Sequence, residues 1–237
     1  SYYRYGVNVM FWDEWEYAVW LSDNCFLTLD TLWALHNEHR IFFPNIVTYF
    51  IGTLFHWNSK AFMYTSQVFL ILMYYVCIKS SLNITKVHKA EFYKIFMALI
   101  IGLCIYNTCQ WENLIWGFQI AWFMVASLGF LSFCSFNKYV SCGQIKYLFL
   151  ALLLLVIVSF SSLHGLVINI SYFLVLSIAL INGEKFPIKT FILMTFINFI
   201  CIGLYFVNFH FNPAHTGLYG KSLSQIILYF FTEIGLF

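Results

Sequence analysis

The chain reads as a succession of apolar runs, each near the length needed to cross a lipid bilayer, joined by short polar connections. A membrane helix needs about 20 mainly apolar residues. The runs 61–79, 92–109, 114–136, 147–163, 166–182, 188–208 and 222 to the end meet or approach that length. Only 9% of the 237 residues are charged and 62% are hydrophobic, whereas soluble domains carry about a quarter charged residues. So much apolar surface cannot be hidden inside one water-soluble core. The predicted fold is an all-α polytopic transmembrane helix bundle. A net charge of +2 supplies no basic patch, so nucleic acid is not an expected partner. The seven cysteines are scattered, mostly within apolar runs, with no CxxC pair or zinc-type spacing. They read as small packing residues.

Lysine placement orients the spans. Lys79, Lys86, Lys89 and Lys94 gather between the first two runs, Lys138 and Lys146 two spans later, and Lys185 and Lys189 two spans beyond. Basic loops face the cytoplasm, which assigns these alternate connections to the inner side. The apolar stretch 41–57 carries Pro44, Asn45, Thr48, Gly52, Thr53 and His56. The lysine pattern holds only if this stretch lies along the outer surface and does not cross. Residues 1–60 then form an extracytoplasmic loop with juxtamembrane helices, and residues 61–237 form the transmembrane bundle. Asp13, Glu14, Glu16, Glu38, Glu112, His164, His210 and His215 all fall outside. Within the loop, Thr28-Leu-Asp-Thr supplies helix-start residues before Leu32, Trp33, Leu35 and His36, and Pro44 redirects the chain into 45–57. The chain starts in a polar stretch and stops in an apolar one, and reads as part of a longer protein.

Four constellations can carry chemistry. In Trp12-Asp13-Glu14-Trp15-Glu16-Tyr17, helical spacing predicts Asp13, Glu16 and Tyr17 on one face with Glu14 turned about 100° away. Trp12 and Trp15 read as interfacial anchors. A partly desolvated carboxylate there gains basicity; a solvated acidic loop held by tryptophans is the plainer alternative. In His36-Asn37-Glu38-His39-Arg40, the guanidinium suits forked recognition of phosphate or carboxylate, with an ion pair from Arg40 to Glu38 or Asp13 as the alternative. His36 and His39, at i and i+3, can share a helical face, but H-E-x-x-H spacing is absent. In Gln110-Trp111-Glu112-Asn113, a helix running from residue 112 sets Glu112, Trp116 and Gln119 on one stripe. That stripe faces either a cavity or a neighbouring helix. His164, after Ser161 and Ser162, sits at a tight outer turn, as a substrate contact or as a helix cap. No Walker loop, nucleophile elbow or G-x-G-x-x-G occurs, which argues against nucleotide hydrolysis and dinucleotide chemistry.

The order of these features resembles the type C glycosyltransferases, multi-helix membrane enzymes that take a sugar from a polyprenyl-phosphate carrier on the extracytoplasmic side. Phe11-Trp12-Asp13-Glu14-Trp15 looks like the acidic-pair motif of the protein mannosyltransferase and aminoarabinose transferase branches. The segments FWDEWEY, HNEHRIFFP and ENLIWGFQ together are similar to a group of bacterial membrane proteins of this type. The resemblance spans residues about 8–170, and it departs from the pattern in having no span before the acidic pair and no C-terminal domain. It implies Asp13 as general base for inverting transfer and Glu14 orienting the acceptor or Asp13. It also implies Arg40 on the departing phosphate, supported by His39 or Lys60. Glu16, His36, Glu38, Glu112, Gln119 and His164 would line the substrate cavity. The expected partners are membrane lipid, a polyprenyl-phosphate sugar and an extracytoplasmic glycan, lipid or protein acceptor, in a bacterial plasma membrane. No cofactor is implied, and a divalent metal is not required for a monophosphate carrier. The rival readings are a transporter or lipid-sugar flippase, in which residues such as Gln119 or Asn169 would line a pathway, and a non-catalytic subunit of an envelope complex.

Overall fold

The computed structural model describes residue 4 and residues 6–21, 27–85, 91–107, 109, 111–181, 188–210 and 222. The expected last span, from 222 on, and His215 lie outside the described residues except for Ser222. A 3-10 helix over Trp12–Leu21 opens the fold. A short helix α1 (Leu29–Trp33) leads into a hairpin of two-residue strands, β1 (Leu35–His36) and β2 (His39–Arg40), and then α2 (Phe42–Leu54). The remaining elements are α3 (Ser59–Thr85), α4 (Glu91–Ile105), α5 (Trp111–Ile115), α6 (Ile120–Cys142), α7 (Ile145–Ser159), α8 (His164–Ile181) and α9 (Ile188–Tyr205). The fold is all-α. Ser59–Leu82, Gly117–Cys142 and Ile188–Tyr205 are long and apolar enough to cross a membrane, while α2, α4, α7 and α8 contribute shorter apolar helices.

The helices pair so that one end of the bundle collects the starts of α3, α6 and α8 with the ends of α7 and α9. Phe62 of α3 packs on Ile120 and Met124 of α6, so these two helices run the same way. Ser132 of α6 donates to the carbonyl of Ala151 in α7 at 2.7 Å and meets the Tyr172 hydroxyl of α8 at 2.8 Å. Ser132 thus ties three helices together, whereas Ser127, Ser135 and Ser159 bond back to carbonyls of their own helices. Phe160, Leu166, Cys201 and Tyr205 close the α7–α8–α9 corner. The opposite end holds Lys79, Lys138, Lys146 and Lys189; there Tyr139 and Thr190 join by a 2.9 Å hydrogen bond, and Lys138 and Lys146 lie over the Tyr147 ring.

Helix α2 lies across the first end. Its amide at Phe43 donates to the Phe160 carbonyl at 3.3 Å, and Phe43, Val47 and Ile51 all pack on the Phe62–Ile120–Met124 cluster. At 13 residues it is about 20 Å long, short of the ~30 Å hydrocarbon layer. Its buried face carries Pro44, Asn45, Thr48 and Gly52, the residues that interrupt the apolar run, while Phe50 and Leu54 are exposed. Pro44 falls inside the first turn, where a missing N–H costs no helical bond, so it begins the helix instead of preceding it.

Candidate functional site

The 3-10 helix sorts the acidic motif differently from the α-helical expectation. Three residues per turn bring i and i+3 onto one face. Glu14 and Tyr17 therefore point inward and are buried, and Tyr17 stacks on Phe118. Asp13 and Glu16 share a second face and are 39% and 61% exposed. Trp12 and Trp15 occupy a third face and stand open. Tyr17 thus belongs with Glu14, not with Asp13.

Glu14 serves the start of α6. Its carboxylate accepts from the Phe11 amide at 3.2 Å and faces three further donors, the amides of Gly117 and Phe118 and the Ser59 hydroxyl. Burial pushes its pKa up, against the lowering effect of those four donors. To offer these amides the chain leaves the helix at Trp116, whose φ and ψ are −102° and 112°. A single helix from residue 112 is therefore not formed, and the Glu112–Trp116–Gln119 stripe is broken. Gly117 is required at the crossing, because a Cβ there would lie 2.6 Å from Phe62 Cβ and 2.8 Å from Glu14 Oε1. Glu14→Ala strips the carboxylate from these helix-start amides and should cost about 1–3 kcal/mol, read as a lowered unfolding temperature in detergent; an unchanged temperature would contradict this capping role.

His36 and His39 stand opposite each other across the hairpin, not on a helix. Helix α1 stops at Trp33 because Ala34 turns extended, and Asn37 takes the left-handed conformation at φ 52°, which asparagine tolerates. Directly paired residues share one face of the hairpin, so both imidazoles look the same way. His36 is buried against Phe118. Its Nδ1 lies 2.7 Å from Glu16 and its Nε2 3.4 Å from Asp13. Burial pulls its pKa down, but the bond to Glu16 and the charges of Glu16 and Asp13 outweigh this and hold it above the usual value.

His39 meets the turn between α7 and α8. Its Nδ1 accepts from the Leu163 amide at 3.3 Å and lies 3.5 Å from the Ser162 hydroxyl. A neutral ring in that position carries its proton on Nε2. His164 is exposed and packs at a tilt against Trp122, ring centroids 4.0 Å apart, with the His39 ring 5.8 Å from that of His164. Burial, then the charges of His164 and His36, push the His39 pKa down to about 4. Unfolded histidine titrates near 6.5, so between about pH 6.5 and 4 the unfolded chain holds the extra proton and acid favours unfolding. Wild-type protein is expected to lose thermal stability over that window more steeply than His39→Asn, whose side-chain oxygen can still accept from Leu163. Parallel curves for the two proteins would refute this.

Arg40 turns to the other face of the hairpin and is 2% exposed. Its Nε donates to the Tyr205 carbonyl at 2.5 Å, one terminal nitrogen to Trp33 at 2.6 Å and the other to Val207. The guanidinium also lies over the Trp33 ring at 4.7 Å. It therefore caps the C-terminal ends of α1 and α9, whose last carbonyls lack helical partners. This is neither the ion pair with Glu38 or Asp13 nor an open phosphate fork.

The other candidates separate. Glu112 and Glu14 border a cavity of about 290 Å³ with Met10, Phe11, Met63 and Trp116. Gln119 is buried at the start of α6. Lys60 is half-buried in the first turn of α3, its amide on Asn58. Glu38 lends its carbonyl to the Tyr205 hydroxyl at 3.0 Å. Among the described residues no three His, Cys, Asp or Glu side chains are arranged to hold a metal ion. Tyr205 and Trp122 organise this end of the bundle without any sequence motif to single them out, and Phe118, inside ENLIWGFQ, joins them as the ring that packs on Tyr17 and His36. Comparison of the chain with protein-family models, with curated proteins and with solved structures gives no match. The fold and the site define an all-α helix bundle with membrane-length apolar helices and a histidine–carboxylate cluster at one end.

Proposed function

We propose that the chain is a membrane glycosyltransferase that moves a sugar from a polyprenyl-phosphate donor to an acceptor hydroxyl on the extracytoplasmic side. The observation that carries the reading is the Asp13–His36–Glu16 cluster. An accessible carboxylate is held by a buried imidazole that is itself anchored on a second carboxylate. A base needs reach to its proton and a fixed orientation; Asp13 combines the two. In the proposed step Asp13 takes the acceptor proton, the acceptor oxygen attacks the anomeric carbon from the face opposite the carrier, and the bond to phosphate breaks with its electron pair on the phosphate. His39, His164 and Lys60 supply hydrogen-bond donors or positive charge for that anion, and Arg40, buried on backbone carbonyls, does not touch it. The lysines at the opposite end of the bundle support a cytoplasmic assignment for that end. The exposed Trp12 and Trp15 suit a headgroup layer beside the cluster.

The test uses membranes containing the full-length protein and labelled polyprenyl-phosphate hexoses, pentoses and aminosugars. The expected result is loss of donor with release of polyprenyl phosphate and labelled acceptor. No consumption of any of these donors would abandon the enzyme in favour of the transporter.

A further inference from the structure

We infer that Arg40 and Tyr205 are positioning residues, a clamp that ties the 35–40 hairpin to the end of α9 and so sets where His36 and His39 stand. A hairpin of two-residue strands is too small to hold its own shape. Here its outer groups are taken by one side chain from α9. The Tyr205 hydroxyl accepts from the Arg40 amide at 3.1 Å and donates to the Glu38 carbonyl at 3.0 Å. Tyr205 itself is fully buried. Arg40 completes the clamp in the opposite direction, its guanidinium reaching back to the carbonyls of Tyr205 and Val207.

The two bonds through Tyr205 bracket His39, at the Glu38 carbonyl and the Arg40 amide, and so fix the strand that pairs with His36. A shift of the α9 end therefore moves the hairpin, and with it the contacts of His36 to Asp13 and Glu16 on the 3-10 helix and to Phe118 ahead of α6. Those groups, with His39 across the hairpin, are the charged and titratable neighbours that His36 meets. A buried guanidinium is costly unless its donors are satisfied, and lysine cannot reproduce a fork directed at several carbonyls. The arrangement thus exchanges a phosphate-binding role for control of geometry.

The consequence for catalysis rests on the proposed transferase reading, whereas the geometry does not, and the experiment separates them. Full-length Tyr205→Phe and Arg40→Lys are compared with wild type in lipid nanodiscs. Histidine-selective ¹⁵N spectra report the His36 ring, and sugar transfer gives kcat and KM for the lipid-linked donor. Tyr205→Phe keeps the buried ring and deletes both hydroxyl bonds. It should displace the His36 resonance and lower kcat about ten- to a hundred-fold, as expected for a misplaced catalytic constellation, with KM for the donor within about two-fold. An unmoved His36 resonance in folded Tyr205→Phe overturns the clamp. So does Arg40→Lys that raises KM with kcat retained, which is the signature of a phosphate ligand. If wild type transfers no sugar, the transferase reading fails, and the His36 resonance still decides the clamp.

Discussion

Asp13→Asn is expected to reduce sugar transfer by about 10²- to 10⁴-fold while the protein still folds and inserts. The substitution keeps the side chain's size and one oxygen, so the contact with His36 Nε2 at 3.4 Å can be retained. What disappears is the capacity to take a proton. Asp13 is partly exposed and belongs to no buried helix cap, so its charge is not needed for the fold in the way that Glu14 is. Glu16 cannot replace it, because its carboxylate is held by His36 Nδ1 at 2.7 Å. The measurement is initial transfer rate at saturating donor, alongside unfolding temperature. Full activity in folded Asp13→Asn would remove the base from the mechanism and, with it, the proposed reaction.

Gly165→Ala is expected to cost about 3 kcal/mol or more, through overpacking against backbone that cannot yield. A Cβ at this position would fall inside contact distance of the Val158 carbonyl oxygen, 2.8 Å from its carbon and 3.2 Å from Ser159 Cα. These atoms form the last turn of α7, so relief requires the α7–α8 corner to open. Three features depend on that corner. The Phe160 carbonyl holds the amide of Phe43 in α2, the Leu163 amide holds His39, and the Gly165 carbonyl accepts from Asn169 at 3.0 Å. The variant should therefore give little monodisperse protein in detergent, and what remains should unfold well below wild type. A wild-type unfolding temperature would show that the corner is softer than its packing implies.

Legibility divides along the length scale of each interaction. Hydropathy marked the runs in which α3, α4 and α6 to α9 form, because apolar character acts on every residue of a run. It ended the first at 79 where α3 continues to Thr85 and began the third at 114 where α6 starts at Ile120, because helix ends depend on a few partners. The polar residues that interrupt 41–57 have a packing reason, since Asn45, Thr48 and Gly52 fall on the face that α2 buries. Local signals failed where the choice lay between similar backbones. The WDEWEY turn is a 3-10 helix, and one changed period moves Tyr17 from the Asp13 face to the Glu14 face. HNEHR pairs as a hairpin because Tyr205, 165 residues away, satisfies its edge. ENLIWGFQ breaks at Trp116 because Glu14 claims the amides of Gly117 and Phe118.

The residues alone thus determined an all-α bundle of apolar helices, some long enough to cross a membrane, with acids and histidines gathered in particular connections, because transfer from water to lipid is a sum over local side chains. Only the tertiary structure decided which carboxylate stays open, which one caps a helix, and that Arg40 faces carbonyls. Those outcomes depend on hydrogen-bond partners supplied by distant segments, and a buried donor or acceptor takes whichever partner the packing brings within reach.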